Sequence, residues 1–389
     1  MTRTGPLLFL AALLGMCLLV ACGSGTNQPP GGGDAKAERA AAGPFHSLVV
    51  TDDGRVLGWG LRDEGRIGCS APTTGPWVIP GLEGIVAVAA GHSHSLALAA
   101  DGTVYAFGND TLGQLGYSGT TSCSPVQSEV EATVVAIGAA LDTSFALDDE
   151  GGLWTWGTSE RYLLGDGSTA TRQLPAKVAG LPAVVSFNVS ENAVFAVTES
   201  EGVWAWGLGH AGMLGTGDTS TQTTPVRITA LDEYDVVQAL PGNAYGLALL
   251  ADGTVLGWGS NAQGQLGRTP GSPATVLEPA PIPGLAGVDS LTAGPMTVVA
   301  IIDGVPHTFG ANPEGELGRG ADLGSQGTAL PVDLDGVTHV AMRLSGVQSS
   351  ALAVHADGSL SGWGWNAYGQ VGTGQPVGKY YTPVSVALP

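Results

Sequence analysis

The stretch GHSHSLALAADG, from Gly91 to Gly102, combines residue types that do chemistry in many proteins. A histidine beside a serine can be the base of a nucleophile, as with His94 and Ser95. Two histidines two positions apart, His92 and His94, can supply half of a metal site. Asp101 adds a carboxylate. Whether these residues form a site depends on the elements that hold them.

An internal repeat organises the chain. An aromatic residue followed by glycine recurs seven times, at intervals of 48, 49, 50, 52, 51 and 54 residues. The seven pairs are Trp59-Gly60, Phe107-Gly108, Trp156-Gly157, Trp206-Gly207, Trp258-Gly259, Phe309-Gly310 and Trp363-Gly364. A period of this length is typical of propellers and other repeat folds.

Each unit also contains a turn, a second glycine element and a strand led by proline. An acidic residue and a glycine, such as Asp101-Gly102, precede each aromatic residue, and we expect a two-residue hairpin turn there because both residue types tolerate positive φ. Apolar runs such as SLAL come before the turn, and GQLG-like segments follow the aromatic residue. About four short strands per unit, with no helical periodicity, predict one blade. The predicted fold class is all-β, a seven-bladed β-propeller of about 50-residue repeats.

The repeat gives the histidines a structural interpretation. The place of His94-Ser95 is the start of a strand that accepts many residue types. Its equivalents are His46-Ser47, Thr143-Ser144, Ala193-Val194, Tyr245-Gly246, Thr297-Val298 and Ser350-Ala351. A catalytic pair needs partners at fixed positions, so we predict no catalytic residues, no metal site and no cofactor. His92 is interpreted as a loop residue.

A second apparent motif, GLGHAG from Gly207 to Gly212, fits the glycine pattern of dinucleotide-binding loops. That motif works only between a parallel strand and a helix whose N-terminus takes the phosphate. Here the glycines belong to the repeat and no helical pattern follows. We predict no nucleotide site.

The segment AAGHSHSLALAADGTVYAFGNDTLGQLG, from Ala89 to Gly116, resembles the repeat of the regulator of chromosome condensation family, and LADGTVLGWGSNAQGQLG, from Leu250 to Gly267, is more similar still. The resemblance covers about residues 41–389 and implies a seven-bladed propeller. Family members include a nuclear nucleotide exchange factor for a small GTPase, membrane-trafficking regulators and secreted bacterial inhibitors that bind an enzyme. We expect the strand at Pro383–Val386 to close the ring against the first unit.

The N-terminal segment has the pattern of an export signal. Arg3 precedes an apolar run of fifteen residues from Leu7 to Ala21, which is shorter than the roughly 20 residues that span a bilayer. The run ends at Cys22 in a segment that resembles the lipobox of bacterial lipoproteins; the alternative is an ordinary secretory signal that leaves Cys22 unmodified. We therefore predict a lipoprotein signal peptide over 1–21, a flexible Gly/Pro-rich tether over 22–40 and the propeller over 41–389.

The predicted location is the cell envelope, with the lipid on Cys22 as the only membrane attachment. Gly23 follows where an aspartate would indicate the inner membrane, so the outer membrane is favoured, on either its periplasmic or its outer side. Cys69 and Cys123 fall in equivalent loops of adjacent units; they either form a disulfide, which an oxidising compartment favours, or stay as two thiols.

Charge restricts the class of partner. The chain has 34 acidic and 14 basic residues, a net charge of −20, and no cluster of Lys and Arg that could hold phosphates, so nucleic acid is excluded. We predict a monomeric, non-enzymatic scaffold whose propeller-face loops bind a protein. Two alternatives stay open: a guanine nucleotide exchange regulator, which the export signal disfavours, and a protein that binds or cleaves a polysaccharide.

Aromatic residues in the loops of the first and last units are the candidates for the contact with a protein partner, because aromatic side chains anchor interfaces. They are Trp77, Trp365, Tyr368, Tyr380 and Tyr381. The alternative is that they pack inside their own loops.

Overall fold

The computed structural model describes residues 37–71, 75–320, 323–342, 349–375 and 378–389. The predicted signal peptide, Cys22 and the tether up to residue 36 lie outside the described residues. Seven four-stranded antiparallel sheets form the seven blades of a β-propeller, and each sheet consists of four strands that are consecutive in the chain. The prediction of a seven-bladed propeller is confirmed.

The strands are numbered in chain order. Blade 1 contains β1 (Ala37–Ala42), β2 (His46–Thr51), β3 (Val56–Gly60) and β4 (Trp77–Val78). Blade 2 contains β5 (Ile85–Ala90), β6 (His94–Ala99), β7 (Val104–Gly108) and β8 (Ser122–Gln127). Blade 3 contains β9 (Val134–Ala140), β10 (Thr143–Asp148), β11 (Leu153–Gly157) and β12 (Arg172–Lys177). Blade 4 contains β13 (Val184–Val189), β14 (Ala193–Thr198), β15 (Val203–Gly207) and β16 (Gln222–Arg227).

Blade 5 contains β17 (Val236–Pro241), β18 (Tyr245–Leu250), β19 (Val255–Ser260) and β20 (Thr275–Pro281). Blade 6 contains β21 (Ser290–Ala293), β22 (Thr297–Ile302), β23 (Val305–Gly310) and β24 (Gln326–Pro331). Blade 7 contains β25 (Val337–Met342), β26 (Ser350–His355), β27 (Leu360–Trp365) and β28 (Lys379–Val386). The helices of the described ranges are three single 3₁₀ turns, Asp63–Gly65, His210–Gly212 and Thr229–Leu231.

Burial follows the position of each strand in its blade. The first strand lies next to the ring axis, where first strands of neighbouring blades such as β5 and β9 contact one another. Second strands such as β6 are buried throughout, because both faces of the sheet are covered by neighbouring blades. The fourth strands form the rim and are half exposed, as in β8. The seven repeated aromatic residues are at most 1% exposed and fill the space between blades.

The meander gives the ring two different faces. We call "turn face" the side that carries the tight turns between second and third strands together with the connections to the next blade. We call "loop face" the side that carries the turns between first and second strands together with the long loops between third and fourth strands. β1 begins at Ala37, so residues 37–40, assigned to the tether from the sequence, belong to the first blade.

The turns that contain Asp-Gly differ in length from the sequence expectation. In blade 1 the amide of Thr51 donates to the carbonyl of Arg55 at 3.0 Å, which leaves a three-residue loop that ends in Gly54 at φ +76°. Such loops need a left-handed residue last, which glycine supplies. The expected two-residue turn occurs in blade 6, where Asp303 and Gly304 both have positive φ.

Ring closure uses side chains. Pro383–Val386 belongs to β28, which pairs with β27 of its own blade, so the last strand adds no hydrogen bonds to the sheet of blade 1. Val386 reaches blade 1 through an apolar cluster that it shares with Leu57 and Trp59. The expected contact between the last strand and the first unit is therefore present, but as packing between blades.

Candidate functional site

The histidines of the repeat connect neighbouring blades. His94 is fully buried, and its Nε2 lies 2.8 Å from Oγ of Ser144 in the next blade. His46 and Ser95 repeat the same contact at 2.8 Å one blade earlier. Burial lowers the pKa of His94 to about 4 and holds that of His46 well below its usual value. Both imidazoles are neutral structural groups at physiological pH.

The remaining polar residues of GHSHSLALAADG are also occupied. Ser93 donates a hydrogen bond to Asp142 of blade 3 and accepts one from Nε2 of Gln114 at 3.1 Å. Asp101 lies at the opposite end of β6, on the turn face, where its carboxylate accepts the amide of Thr103 at 2.9 Å. The polar residues of this stretch therefore lie at opposite faces of the ring, and their hydrogen bonds are structural contacts within and between blades.

The GLGHAG segment lies at the end of a blade's third strand. β15 ends at Gly207, which has φ +112°, and the 3₁₀ turn His210–Gly212 begins three residues later. A phosphate site of the dinucleotide type needs a longer helix that begins at this point. The glycines instead make the exit from the blade into its long loop.

A hydrogen bond that repeats around the ring joins neighbouring blades. The sequence did not predict it. The indole N–H of five repeated tryptophans donates to a backbone carbonyl in the GQLG-like segment of the preceding blade. The pairs are Trp59 with Gln370, Trp156 with Gln114, Trp206 with Leu163, Trp258 with Met213 and Trp363 with Glu316, at 2.8 to 3.0 Å. Serines donate to the same oxygens in two cases, Ser47 to Gln370 and Ser144 to Gln114.

One acceptor in this series belongs to a buried acid. Glu316 stands where equivalent segments have Gln114, Gln265 and Gln370, and it is 1% exposed. Its Oε2 accepts the amide of Glu314 at 2.8 Å. Burial raises the pKa of Glu316 to about 7.

Cys69 and Cys123 form a disulfide between blades 1 and 2, with their Cα atoms 4.7 Å apart. Cys69 lies in the long loop of blade 1 and Cys123 in β8. The tryptophan that would cross this interface is replaced by Phe107, which has no N–H to donate. A covalent link is thus present where the recurring indole hydrogen bond is missing.

Two of the five predicted contact aromatics come together on the loop face. The rings of Trp365 and Tyr368 are 5.4 Å apart and nearly perpendicular. The row continues from Tyr368 to Phe45 at 5.4 Å and from Phe45 to His92 at 5.0 Å. We call these four residues the aromatic row. It crosses blades 7, 1 and 2, and its most exposed member is Tyr368, at 43%.

The other three predicted aromatics have separate positions. Trp77 donates its indole N–H to the carbonyl of Ile67 at 2.9 Å within blade 1 and packs against that blade's core. Tyr380 pairs with the hydroxyl of Thr373 at 2.9 Å. Tyr381 lies under Nζ of Lys379, 5.8 Å from the ring centre. These three residues do not extend the aromatic row.

Local hydrogen bonds and a buried cation hold the aromatic row in place. Oδ1 of Asn366 accepts the amide of Val371, and Oε1 of Gln370 accepts the amide of Tyr368, so the loop that presents Tyr368 has a fixed shape. Arg66 is 4% exposed and lies 5.5 Å from the ring centre of Phe45. Its Nη1 donates to the carbonyl of His92 at 3.0 Å, while Glu64 balances its charge at 2.7 Å.

Within the described residues, no group of three or more His, Cys, Asp or Glu side chains is arranged to hold a metal ion. None of the helices in those same ranges has the length and apolar character needed to cross a membrane.

Solved structures share this fold at low sequence identity. Human WBSCR16 has a TM-score of 0.73 and 20% identity, with 86% of this chain and 94% of that chain covered. Prp20p from Saccharomyces cerevisiae also has a TM-score of 0.73 and 20% identity, with 90% and 87% covered.

Two relatives match over part of the sequence. The ultraviolet-B receptor UVR8 of Arabidopsis thaliana is 31% identical over 144 residues, 36% of this chain and 32% of the receptor. The human E3 ubiquitin-protein ligase HERC2 is 34% identical over 128 residues, 31% of this chain and 2% of the ligase. The chain thus spans a third or less of these relatives. The sequence model of the RCC1-like domain family matches residues 26–351. Together with the seven four-stranded blades, this match shows that the chain belongs to the RCC1-like domain family.

Proposed function

We propose that this protein is a lipid-anchored binding scaffold of the cell envelope that holds a protein partner on its loop face. The observation that carries the proposal is the aromatic row, a continuous set of rings across three blades with Tyr368 exposed. Large, rigid aromatic side chains lose little conformational freedom on binding and dominate many interfaces. A fixed loop underneath them lowers the entropic cost further.

A binding role rather than catalysis is supported by how the reactive residue types are used. His46, His94, Ser95 and Ser144 are buried and engaged between blades. Prp20p, which shares the fold, binds Gsp1p, and a crystal structure shows it bound to Kap60. Partner binding by a ring of this kind supports the role proposed for the present chain.

The location rests on the N-terminal sequence. The apolar run Leu7–Ala21, the lipobox-like end at Cys22 and the polar tether support export, acylation of Cys22 and attachment to the outer membrane. The lipid on Cys22 would be the only membrane attachment. Metabolic labelling with a fatty-acid analogue tests this step: label on the wild type that Cys22→Ser loses supports the anchor, and equal label on both excludes it.

Crosslinking and pull-down from intact producing cells tests the binding role. We expect a defined protein with the wild type and its loss with the double variant Trp365→Ala/Tyr368→Ala. Tyr234→Ala is the matched control, because Tyr234 is 44% exposed on the turn face. Tyr381→Ala should also retain the partner, since Tyr381 lies outside the aromatic row.

Two results would contradict the proposal. Retention of the same protein by the double variant would exclude the aromatic row as its contact. Absence of any protein, together with a soluble glycan that the wild type binds and the double variant does not, would favour a carbohydrate-binding protein, because aromatic rows also stack on sugars.

A further inference from the structure

The charge of the protein is concentrated on the turn face. The turns and connections of this face hold 19 of the 34 acidic residues, all of them exposed, and one basic residue, Arg55. The described loops of the loop face hold ten acidic residues and five arginines. The turn face is therefore the strongly negative side of the ring.

An apolar arc lies at the centre of this negative face. The first strands of blades 2 to 5 each contain a β-bulge close to their start, and the residue that bulges out of the ladder is a valine every time. The four residues are Val86, Val135, Val185 and Val237. A bulged residue is left out of the strand pairing and its side chain is re-aimed.

Two of the four bulged valines are accessible from the turn face. First strands start at the turn face and run along the axis, so their second residues surround the axial opening on that side. Val135 is 39% and Val237 is 37% exposed, while Val86 and Val185 are partly buried. We call the four residues the valine arc; Val135 and Val237 are its exposed members, while Val86 and Val185 pack against the apolar clusters between blades.

Carboxylates border the valine arc. Asp235 is two residues before Val237 and Glu131 is four residues before Val135, and both carboxylates are exposed. An exposed apolar group with a charged rim is the usual anatomy of an interaction site. The aromatic row differs from this arrangement, because the buried cation Arg66 lies against its Phe45.

We infer that the turn face binds a basic polypeptide segment, with one apolar side chain of the segment against the valine arc and its lysines or arginines against the surrounding carboxylates. Charge complementarity identifies the occupant. A net charge of −20 repels nucleic acid, anionic lipid and a second copy of the chain. This surface is separate from the aromatic row and goes beyond the function proposed for the loop face.

A polycation fits the surface better than a metal ion does. Nowhere in the described part of the chain do three acidic or other ligating side chains converge on one point. The carboxylates are instead spread around the ring, one to three in every turn or connection except residues 178–183, which hold none. Spread charges match a chain of lysines or arginines and increase its rate of association at low salt.

Peptide binding to the folded protein tests the inference. Two fluorescent probes are compared by anisotropy: a synthetic peptide with one leucine between flanking lysines, and the same peptide with serine in place of leucine. The wild type should bind the leucine peptide about tenfold more tightly, because one aliphatic side chain is removed from water. Both affinities should fall as salt is added.

Variants separate the two parts of the surface. Val135→Thr/Val237→Thr keeps the side-chain shape and the strand preference, and it should abolish the preference for leucine. Glu131→Gln/Asp235→Asn should weaken both peptides. Leu174→Thr, at a 43% exposed leucine on the rim, is the matched control and should behave as the wild type.

Three results would overturn the inference: no binding of either peptide by the wild type, equal affinity for the leucine and serine peptides, or an unchanged leucine preference in the valine variant. Circular dichroism and the unfolding midpoint establish that each variant is folded before its binding is compared.

Discussion

The indole nitrogen of Trp59 lies 2.9 Å from the backbone carbonyl oxygen of Gln370, although 311 residues separate them in the chain. Trp59 is in blade 1 and Gln370 in blade 7, so this hydrogen bond lies at the junction that closes the ring. Ser47 donates to the same oxygen at 2.8 Å. The closing junction thus uses the same contacts as the junction between blades 2 and 3, where Trp156 and Ser144 share the carbonyl of Gln114.

Trp59→Phe should lower the free energy of unfolding by about 1–3 kcal/mol, because it removes one buried hydrogen bond and some packing. Phe107 and Phe309 occupy this place in two blades, so the smaller ring fits the position. Urea denaturation measures the change. Adding Ser47→Ala should cost more than the sum of the single changes, since the carbonyl of Gln370 then loses both donors. Additive costs would mean that the two donors act independently.

Removing the disulfide with Cys69→Ser/Cys123→Ser should lower the free energy of unfolding by about 2–4 kcal/mol, because a crosslink across a 54-residue separation restricts the unfolded chain. Reduced wild type is the matched control and should unfold at the same urea concentration as the variant. Alkylation followed by mass spectrometry checks the bond itself. Modification of both cysteines in unfolded, unreduced protein would show that they are free thiols.

Glu316→Gln should stabilise the protein at pH 8 and have little effect at pH 4. Burial raises the pKa of Glu316 to about 7 from a usual value of 4.5. Between these values the unfolded chain has lost the proton that the folded chain keeps, so stability falls as pH rises. The full cost, reached above pH 7, is up to about 3 kcal/mol.

Urea denaturation of Glu316→Gln and wild type across this pH range measures the difference. Glu160→Gln, at an exposed position on the loop face, is the control and should leave the pH profile unchanged. A constant difference between Glu316→Gln and wild type from pH 4 to 8 would contradict the assignment.

His94→Thr should reduce the loss of stability on acidification. Burial lowers the pKa of His94 to about 4 from 6.5. Below pH 6.5 the unfolded chain therefore binds a proton at this histidine that the folded chain does not bind. This group alone removes up to about 3 kcal/mol as pH falls from 6.5 to 4. Threonine occupies the same place as Thr143 and Thr297 in two other blades.

The comparison for His94 is the slope of stability against pH, because the variant also loses the bond to Ser144 and is less stable at pH 7. Thermal unfolding between pH 7 and 4 measures both slopes. Equal slopes for the variant and the wild type would mean that His94 titrates normally in the folded state.

Repetition made the fold predictable. Seven aromatic-glycine pairs at nearly constant spacing determine the number of blades, and the residues around His94-Ser95 vary as expected for a structural position. The turn length was not predictable in the same way. An Asp-Gly pair suits both a two-residue and a three-residue loop, and the register of β2 and β3 decides between them.

Loop packing explains what the sequence left open. Trp77 and Tyr368 are both aromatic residues near the ends of long loops, yet Trp77 turns inward to the carbonyl of Ile67 while Tyr368 stays on the surface. Phe45 and His92, which complete the aromatic row, lie in first-to-second turns of other units. Phe45 lies beside Tyr368 because the ring closes, which residue spacing does not encode.

Each blade is built from four consecutive strands, and blades 7 and 1 meet at the closing junction without sharing a sheet. New chain ends could therefore be placed between any two blades without breaking a sheet. A linker would then connect the present C-terminal end of the propeller to its N-terminal end. Such circular permutants should keep the same ring. A gene organised in this way can also gain or lose whole units by in-frame duplication or deletion, so ring size is open to evolutionary change.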